Sequence, residues 1–177
     1  AFSVAMTLFC LVALGVAGRL YWADCAQMTA IAHANAGRNQ QALDAYRRSS
    51  RLNPAETSYQ LARTRLLLNL AKTVSEPAVR LRFLEEAAAA ARSSAAWRPA
   101  SVTAQQSLGV SLTVLSVSAG PDSLAEAERA FDRALKLDRG LPGLLENRIK
   151  VARLRKDEAK AKELEASLAA LLRLTGG

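Results

Sequence analysis

One spacing constrains this chain more tightly than any other feature. Ala42 is followed by Tyr46 four residues on, by Ser49 three later and by Pro54 five after that. Each residue type has a physical reason in a pair of helices packed side by side. Small residues let the two backbones approach, an aromatic ring fills the groove to a neighbouring unit, and proline ends the second helix. Within residues 26–54, AQMTAIAHANAGRNQQALDAYRRSSRLNP, the pattern predicts a helix, a tight turn at Gly37 and Arg38, a second helix, and a stop at Asn53 and Pro54.

The same spacing recurs downstream. It selects Ala87, Ala91, Ser94 and Pro99, then Ala127, Phe131, Ala134 and Arg139, with proline displaced to Pro142. A degraded copy follows at Ala161, Glu165, Leu168 and Arg173. Leu108 and Gly109, just before Leu112, add a match to the first helix of such a pair. Together these residues resemble the tetratricopeptide repeat (TPR), a helical hairpin with a regular period of 34 residues. The likeness covers roughly residues 23–174. It implies an all-α fold: a TPR-like α-solenoid at 23–177, with units near 23–56, 57–99, 100–141 and 142–174.

The intervals between successive units are 45, 40 and 34 residues, so the first two exceed the regular period. The surplus is expected in the turns within the hairpins. One is 73–77, where Ser75, Glu76 and Pro77 suit a turn that opens a helix. The other is 116–122, where Gly120, Pro121 and Asp122 break the chain and Asp122 or Ser123 would cap the next helix. Arrays end on a polar unit, because the last one has no neighbour to cover it. Residues 156–165 fit that role, with Leu164, Leu168, Leu171 and Leu172 as the inner stripe. Composition agrees: half the residues are apolar but only 5% are aromatic. Alanine and leucine, both strong helix formers, make up the difference, and no alternating strand-like run stands out.

Residues 1–18 contain neither charge nor proline. As a helix they would span roughly 27 Å, close to the hydrocarbon thickness of a bilayer. Arg19, Tyr21 and Trp22 then suit the interface, where arginine snorkels and aromatic rings favour headgroup depth. Residues 1–22 therefore read as an N-terminal transmembrane helix, with Phe2, Phe9, Leu14, Arg19, Tyr21 and Trp22 as anchor residues. Gly15 and Gly18, with Ala13 and Ala17, would offer a smooth face to a neighbouring helix. A cleaved leader is the competing reading, with residues 15–18 as its cleavage region.

The net charge is +8, and most of the excess lies in residues 1–98, with twelve basic against six acidic residues. Arg38, Arg47, Arg48 and Arg51 are candidates for contact with lipid headgroups or an acidic partner, against a bland reading as a solvated helix face. Nucleic acid is not expected, since few aromatics stand among the basic residues and no recognition motif occurs. Cys10 and Cys25, if on one helix, are roughly 22 Å apart, beyond disulfide reach. His33 is the single histidine, and it falls where the family often has an aromatic, so packing is its expected role. Glu85 with Glu86, and Glu126 with Glu128, are too close in sequence to face one another on a helix. With no phosphate loop, nucleophile elbow or metal motif, neither an enzyme nor a cofactor is expected.

The resemblance implies a ligand face lined by first helices. Here that face would carry Gln27, Ile31, Asn35, Ser58, Leu61, Arg65, Asn69, Gln106 and Val110. Repeats that capture a chaperone's terminal carboxylate use lysine and asparagine there, but the matching places hold Ile31 and Ala62. A peptide segment or helix of a neighbouring protein suits the mixed surface better, or a permanent partner subunit packs on it. These readings predict a non-catalytic, membrane-anchored adaptor that scaffolds or assists assembly of a membrane or envelope complex. Its partners would be protein subunits of that complex and membrane lipid, with no small-molecule substrate. Alanine and arginine usage suggests a bacterium, and the anchor a single span of the inner membrane with the repeats on the periplasmic side. The alternative is a secreted or periplasmic soluble module for peptides or an acidic polymer, its leader removed.

Overall fold

In the computed structural model, residues 2–175 are described, with side chains for residues 5–174. They form helices α1 (Phe2–Asn35), α2 (Asn39–Leu52), α3 (Thr57–Thr73), α4 (Pro77–Trp97), α5 (Val102–Ala119), α6 (Leu124–Leu137), α7 (Pro142–Leu154) and α8 (Glu158–Thr175), with one 3-10 turn at Pro121–Ser123. Successive helices pair as hairpins, α1 with α2, α3 with α4, α5 with α6 and α7 with α8, and the hairpins stack in chain order. The result is an all-α solenoid.

Helix α1 runs 34 residues without a break, about 51 Å at 1.5 Å per residue. Its stretch Ala5–Asn35 is long and apolar enough to cross a membrane, and none of its most apolar window is buried among the described residues. Burial begins at Ala23, which is fully covered, followed by Ala26 and Ala30. The exposed apolar segment and the first helix of the first hairpin are thus one rigid rod. Among the anchor residues, Phe9, Leu14, Tyr21 and Trp22 are exposed, while the side chain of Phe2 and all of Ala1 lie outside the described residues.

The α1–α2 turn follows from Gly37. With φ +70°, it takes the left-handed conformation that favours glycine. The Arg38 N–H donates to the His33 carbonyl (2.9 Å) and the Gly37 N–H to that of Ala34 (3.0 Å), the paired bonds of a Schellman motif. The same motif closes α7 around Lys156 at φ +60°, with Asp157 N–H to Ala152 O (3.0 Å) and Lys156 N–H to Arg153 O (2.9 Å). Lys156 is therefore a turn residue, where the sequence pattern had suggested the final helix. That helix starts at Glu158, where the Asp157 carboxylate accepts the Lys160 N–H at 3.0 Å.

Two further expectations are corrected. The surplus length of the second and third units lies mainly in the helices: the turn between α3 and α4 is only Val74, Ser75 and Glu76, while α4 runs 21 residues. The alanine-rich run 87–91 propagates helix instead of ending it. Neither Asp122 nor Ser123 caps α6; the Ser123 hydroxyl donates instead to the Leu112 carbonyl of α5 at 3.0 Å. Pro77 and Pro142 each occupy the first position of a helix, where the missing N–H costs nothing.

The core is made of small side chains at the repeat positions. Ala42, Ala87, Ala91, Ser94, Ala127, Phe131 and Ala134 are all fully buried, and Tyr46 nearly so. The Phe131 ring packs on Gly109, and a Cβ there would sit 2.7 Å from it. The apolar interior falls into three clusters along the array. Leu43, Leu67 and Ala87 anchor the first, Leu108, Phe131, Leu144 and Val151 the central one, and Ile149, Ala161 and Leu164 the last. Leu168 and Leu171 join the last cluster, but Leu172 is 41% exposed and lies off the stripe.

Candidate partner-binding groove

One side of the α1–α2 hairpin is lined by no other helix among the described residues. There the two helices border a groove of about 940 Å³. Helix α1 contributes Trp22, Cys25, Ala26, Thr29 and His33, a stripe at helical spacing, and α2 contributes Gln41, Asp44, Ala45, Arg47, Arg48, Arg51 and Leu52. The floor is apolar and the α2 rim is basic. The Nδ1 of His33 is buried without a hydrogen-bond partner among the described residues.

Of the four arginines singled out in sequence, three line this groove and one does not. Arg38 sits at the far end of the hairpin, beyond the first residue of α2. Arg47 is committed: its Nη1 donates to Asp44 (2.8 Å), and its Nε and Nη2 to Glu86 of α4 at 3.0 and 2.8 Å. Arg63 of α3 donates to the same Glu86 carboxylate. Burial works against the charged form of Glu86, but hydrogen bonds and charge from Arg63 and Arg47 outweigh it and hold the carboxyl below its ordinary value. Arg48 and Arg51 are exposed, and no carboxylate partner of either is found among the described residues.

Arg19, expected to reach headgroups, donates from Nη2 to the Arg51 carbonyl at 3.1 Å. This places a cation at the C-terminal end of α2, where the helix dipole favours it. The Tyr59 hydroxyl at the start of α3 donates to Asp24 of α1. Burial first, then that hydrogen bond and the Asp24 charge, push Tyr59 up to about 12. The end of α1's apolar segment is thereby tied to both α2 and α3.

The nine residues expected on the first-helix face are not brought into this groove. Gln27, Ile31 and Asn35 lie on the opposite side of α1 from Trp22, Cys25 and Thr29, as 3.6 residues per turn requires. Ile31, Asn35, Ser58, Arg65 and Asn69 are exposed; Gln27, Leu61, Gln106 and Val110 are half-buried. Val110 packs on the central core cluster. The carboxylates that might have passed as pairs diverge. Glu126 binds Arg92 of α4 (Oε1 to Nε 2.9 Å), whereas Glu128 faces Arg148 of α7. Glu126 is held below its ordinary value chiefly by the Arg92 hydrogen bond. No group of three or more metal-ligating side chains occurs among the described residues. The sequence signal for the groove is present in both stripes, but Trp22 reads there as an anchor residue and His33 as a packing residue.

No protein-family model and no curated protein matches the sequence. Solved structures do match the fold. MamA from Desulfovibrio magneticus RS-1 superposes with a TM-score of 0.68 at 19% identity, over 88% of this chain and 78% of that one. A thermophilic TPR protein of Thermus thermophilus gives 0.59 at 15% identity, over 85% and 81%. The first TPR of Spaghetti, bound to the HSP90 peptide SRMEEVD, gives 0.57 at 15% identity, over 77% and 97%. At these identities the likeness is one of fold: a helical-hairpin solenoid of the TPR and MamA type.

Proposed function

We propose that this chain is a non-catalytic, membrane-anchored adaptor that holds a protein partner in the groove of its first hairpin. It scaffolds or assists assembly of a complex in a bacterial inner membrane, with its repeats on the periplasmic side. The observation that carries this reading is the continuity of α1. One helix passes from an exposed apolar segment into the hairpin that borders the groove, so a segment docked there is held at a fixed height above the bilayer. A TPR fold with a bound peptide exists among the similar structures, and a peptide or helix of a neighbouring protein is the ligand class assigned here. Terminal-carboxylate capture is not part of the assignment, since Ile31 and Ala62 stand where lysine and asparagine would be required.

Purification of the chain, tagged at its C-terminus, in gentle detergent from native membranes tests the reading. A defined set of membrane subunits in fixed ratio is expected. Arg48→Glu at the rim and Ala45→Trp across the floor should each lower their recovery by about tenfold, the effect of losing ~1.4 kcal/mol of contact. A scatter of clients at low and variable ratio would sink the scaffold reading. The mass of the native N-terminus distinguishes a retained anchor from a removed leader. Protease added to spheroplasts should digest the repeats if they are periplasmic.

A further inference from the structure

We infer that the membrane-side rim of the solenoid is a binding surface for anionic phospholipid headgroups, formed by Arg51, Trp97 and Arg98. The inference rests on the membrane-anchored reading above. It follows from three contacts that fix the height of helix ends against α1. Arg19 holds the Arg51 carbonyl at 3.1 Å, which sets the last turn of α2 level with the end of the uncharged segment. The Tyr59–Asp24 hydrogen bond sets the first turn of α3 just above it. Glu56, which caps α3, lies 3.9 Å from Arg98 at the end of α4, so the α4 terminus stands beside the α2–α3 turn.

Measured along α1, Arg19 is one residue and Asp24 six residues beyond Gly18, about 1.5 and 9 Å above the hydrocarbon edge. A headgroup layer is about 5–8 Å thick on each side of a bilayer. The ends of α2 and α4 therefore stand in it or at its surface. What they present there is unusual for a water-facing end. Trp97, the last residue of α4, is 53% exposed, and the adjacent Arg98 is held only by that 3.9 Å pair. Arg51 projects from the last turn of α2 and is exposed. The acids at this level are already engaged: Asp24 by Tyr59, and Glu56 by the Ser58 N–H and Arg98. An amphipathic indole beside the loosely held Arg98, at the level of the unpaired Arg51, is suited to an interface bearing negative phosphates.

The test uses the full-length chain reconstituted in vesicles of phosphatidylcholine alone, or of phosphatidylcholine with phosphatidylglycerol. Two versions each keep one tryptophan: Trp22→Phe leaves Trp97, and Trp97→Phe leaves Trp22. Lipids brominated high on the acyl chain serve as quenchers. Trp22 should be quenched in both vesicles. Trp97 should be blue-shifted and quenched mainly where phosphatidylglycerol is present. Arg51→Glu with Arg98→Glu should abolish this, while Arg51→Lys with Arg98→Lys retains it, which separates charge from misfolding. Each arginine is expected to change the rim's partition onto the surface by about fivefold. Quenching of Trp22 with Trp97 unquenched, or quenched equally in both vesicles, would overturn the headgroup site and leave the anchor standing. Trp22 unquenched throughout would overturn the anchor, and the rim with it.

Discussion

At the scale of single residues, two positions show opposite strains. Gly109 admits no side chain: an added Cβ would lie 2.7–2.8 Å from three atoms of the Phe131 ring, and Phe131 is fully buried and cannot swing aside. Gly109→Ala should destabilise the fold by about 1–3 kcal/mol, the ordinary cost of overpacking, seen as a lowered denaturation midpoint with unchanged slope. Lys156 is the converse, a residue with a Cβ in a left-handed turn at φ +60°. Lys156→Gly removes that steric cost but adds freedom to the unfolded chain. The net expectation is a gain of up to about 1 kcal/mol, read in the same measurement. Gly109 was visible in sequence as part of a first-helix pattern, but its partner lies 22 residues away across a helix interface. Lys156 was invisible, because a left-handed turn without glycine or asparagine carries no local signal.

Between elements, a salt cluster joins the same three helices that Leu43, Leu67 and Ala87 join in the core. Glu86 of α4 takes Arg47 from α2 and Arg63 from α3. Its carboxyl is held below the ordinary value in the folded chain, so its contribution is fully present above the unfolded value of about 4.3. That contribution is lost as the pH falls through the lower folded value. Glu86→Gln should cost about 1 kcal/mol near neutral pH, a buried-pair penalty reduced by partial exposure to solvent. Melting temperatures of the two proteins should converge as the pH falls below about 4. A gap that stays constant from neutral to acid would mean the carboxylate charge does not matter. Of the helices this cluster joins, α2 and α4 were legible from small-residue spacing. Their lengths were not, because alanine-rich sequence gives no reason for a helix to stop and the surplus was assigned to turns. The groove was half legible for a related reason: each helix carried its stripe, but only the hairpin pairing sets the stripes side by side.

For the whole molecule, the division of the core along the array decides how damage spreads. Helix α7 is shared, with Leu144 and Val151 in the central cluster and Leu145, Ile149 and Ala152 in the last. Helix α8 enters only the last, through Ala161, Leu164, Leu168 and Leu171. In a stack where each unit meets only its neighbours, stability is the sum of local and interface terms, so a terminal element can open alone. Leu164→Ala removes a buried side chain at a cost of roughly 2–3 kcal/mol, the lower part of the range for leucine truncation because Leu164 keeps 8% of its surface exposed. Hydrogen exchange should then rise in α8 and the final turn of α7 while α2 and α3 keep their protection. Phe131→Leu, in the central cluster where three hairpins meet, should raise exchange across α4 to α7 together. Uniform acceleration along the chain in Leu164→Ala would mean that the solenoid unfolds as one unit. The groove beside α1 would then share its stability with a helix seven helices further along, instead of keeping the rigidity that a docked partner requires.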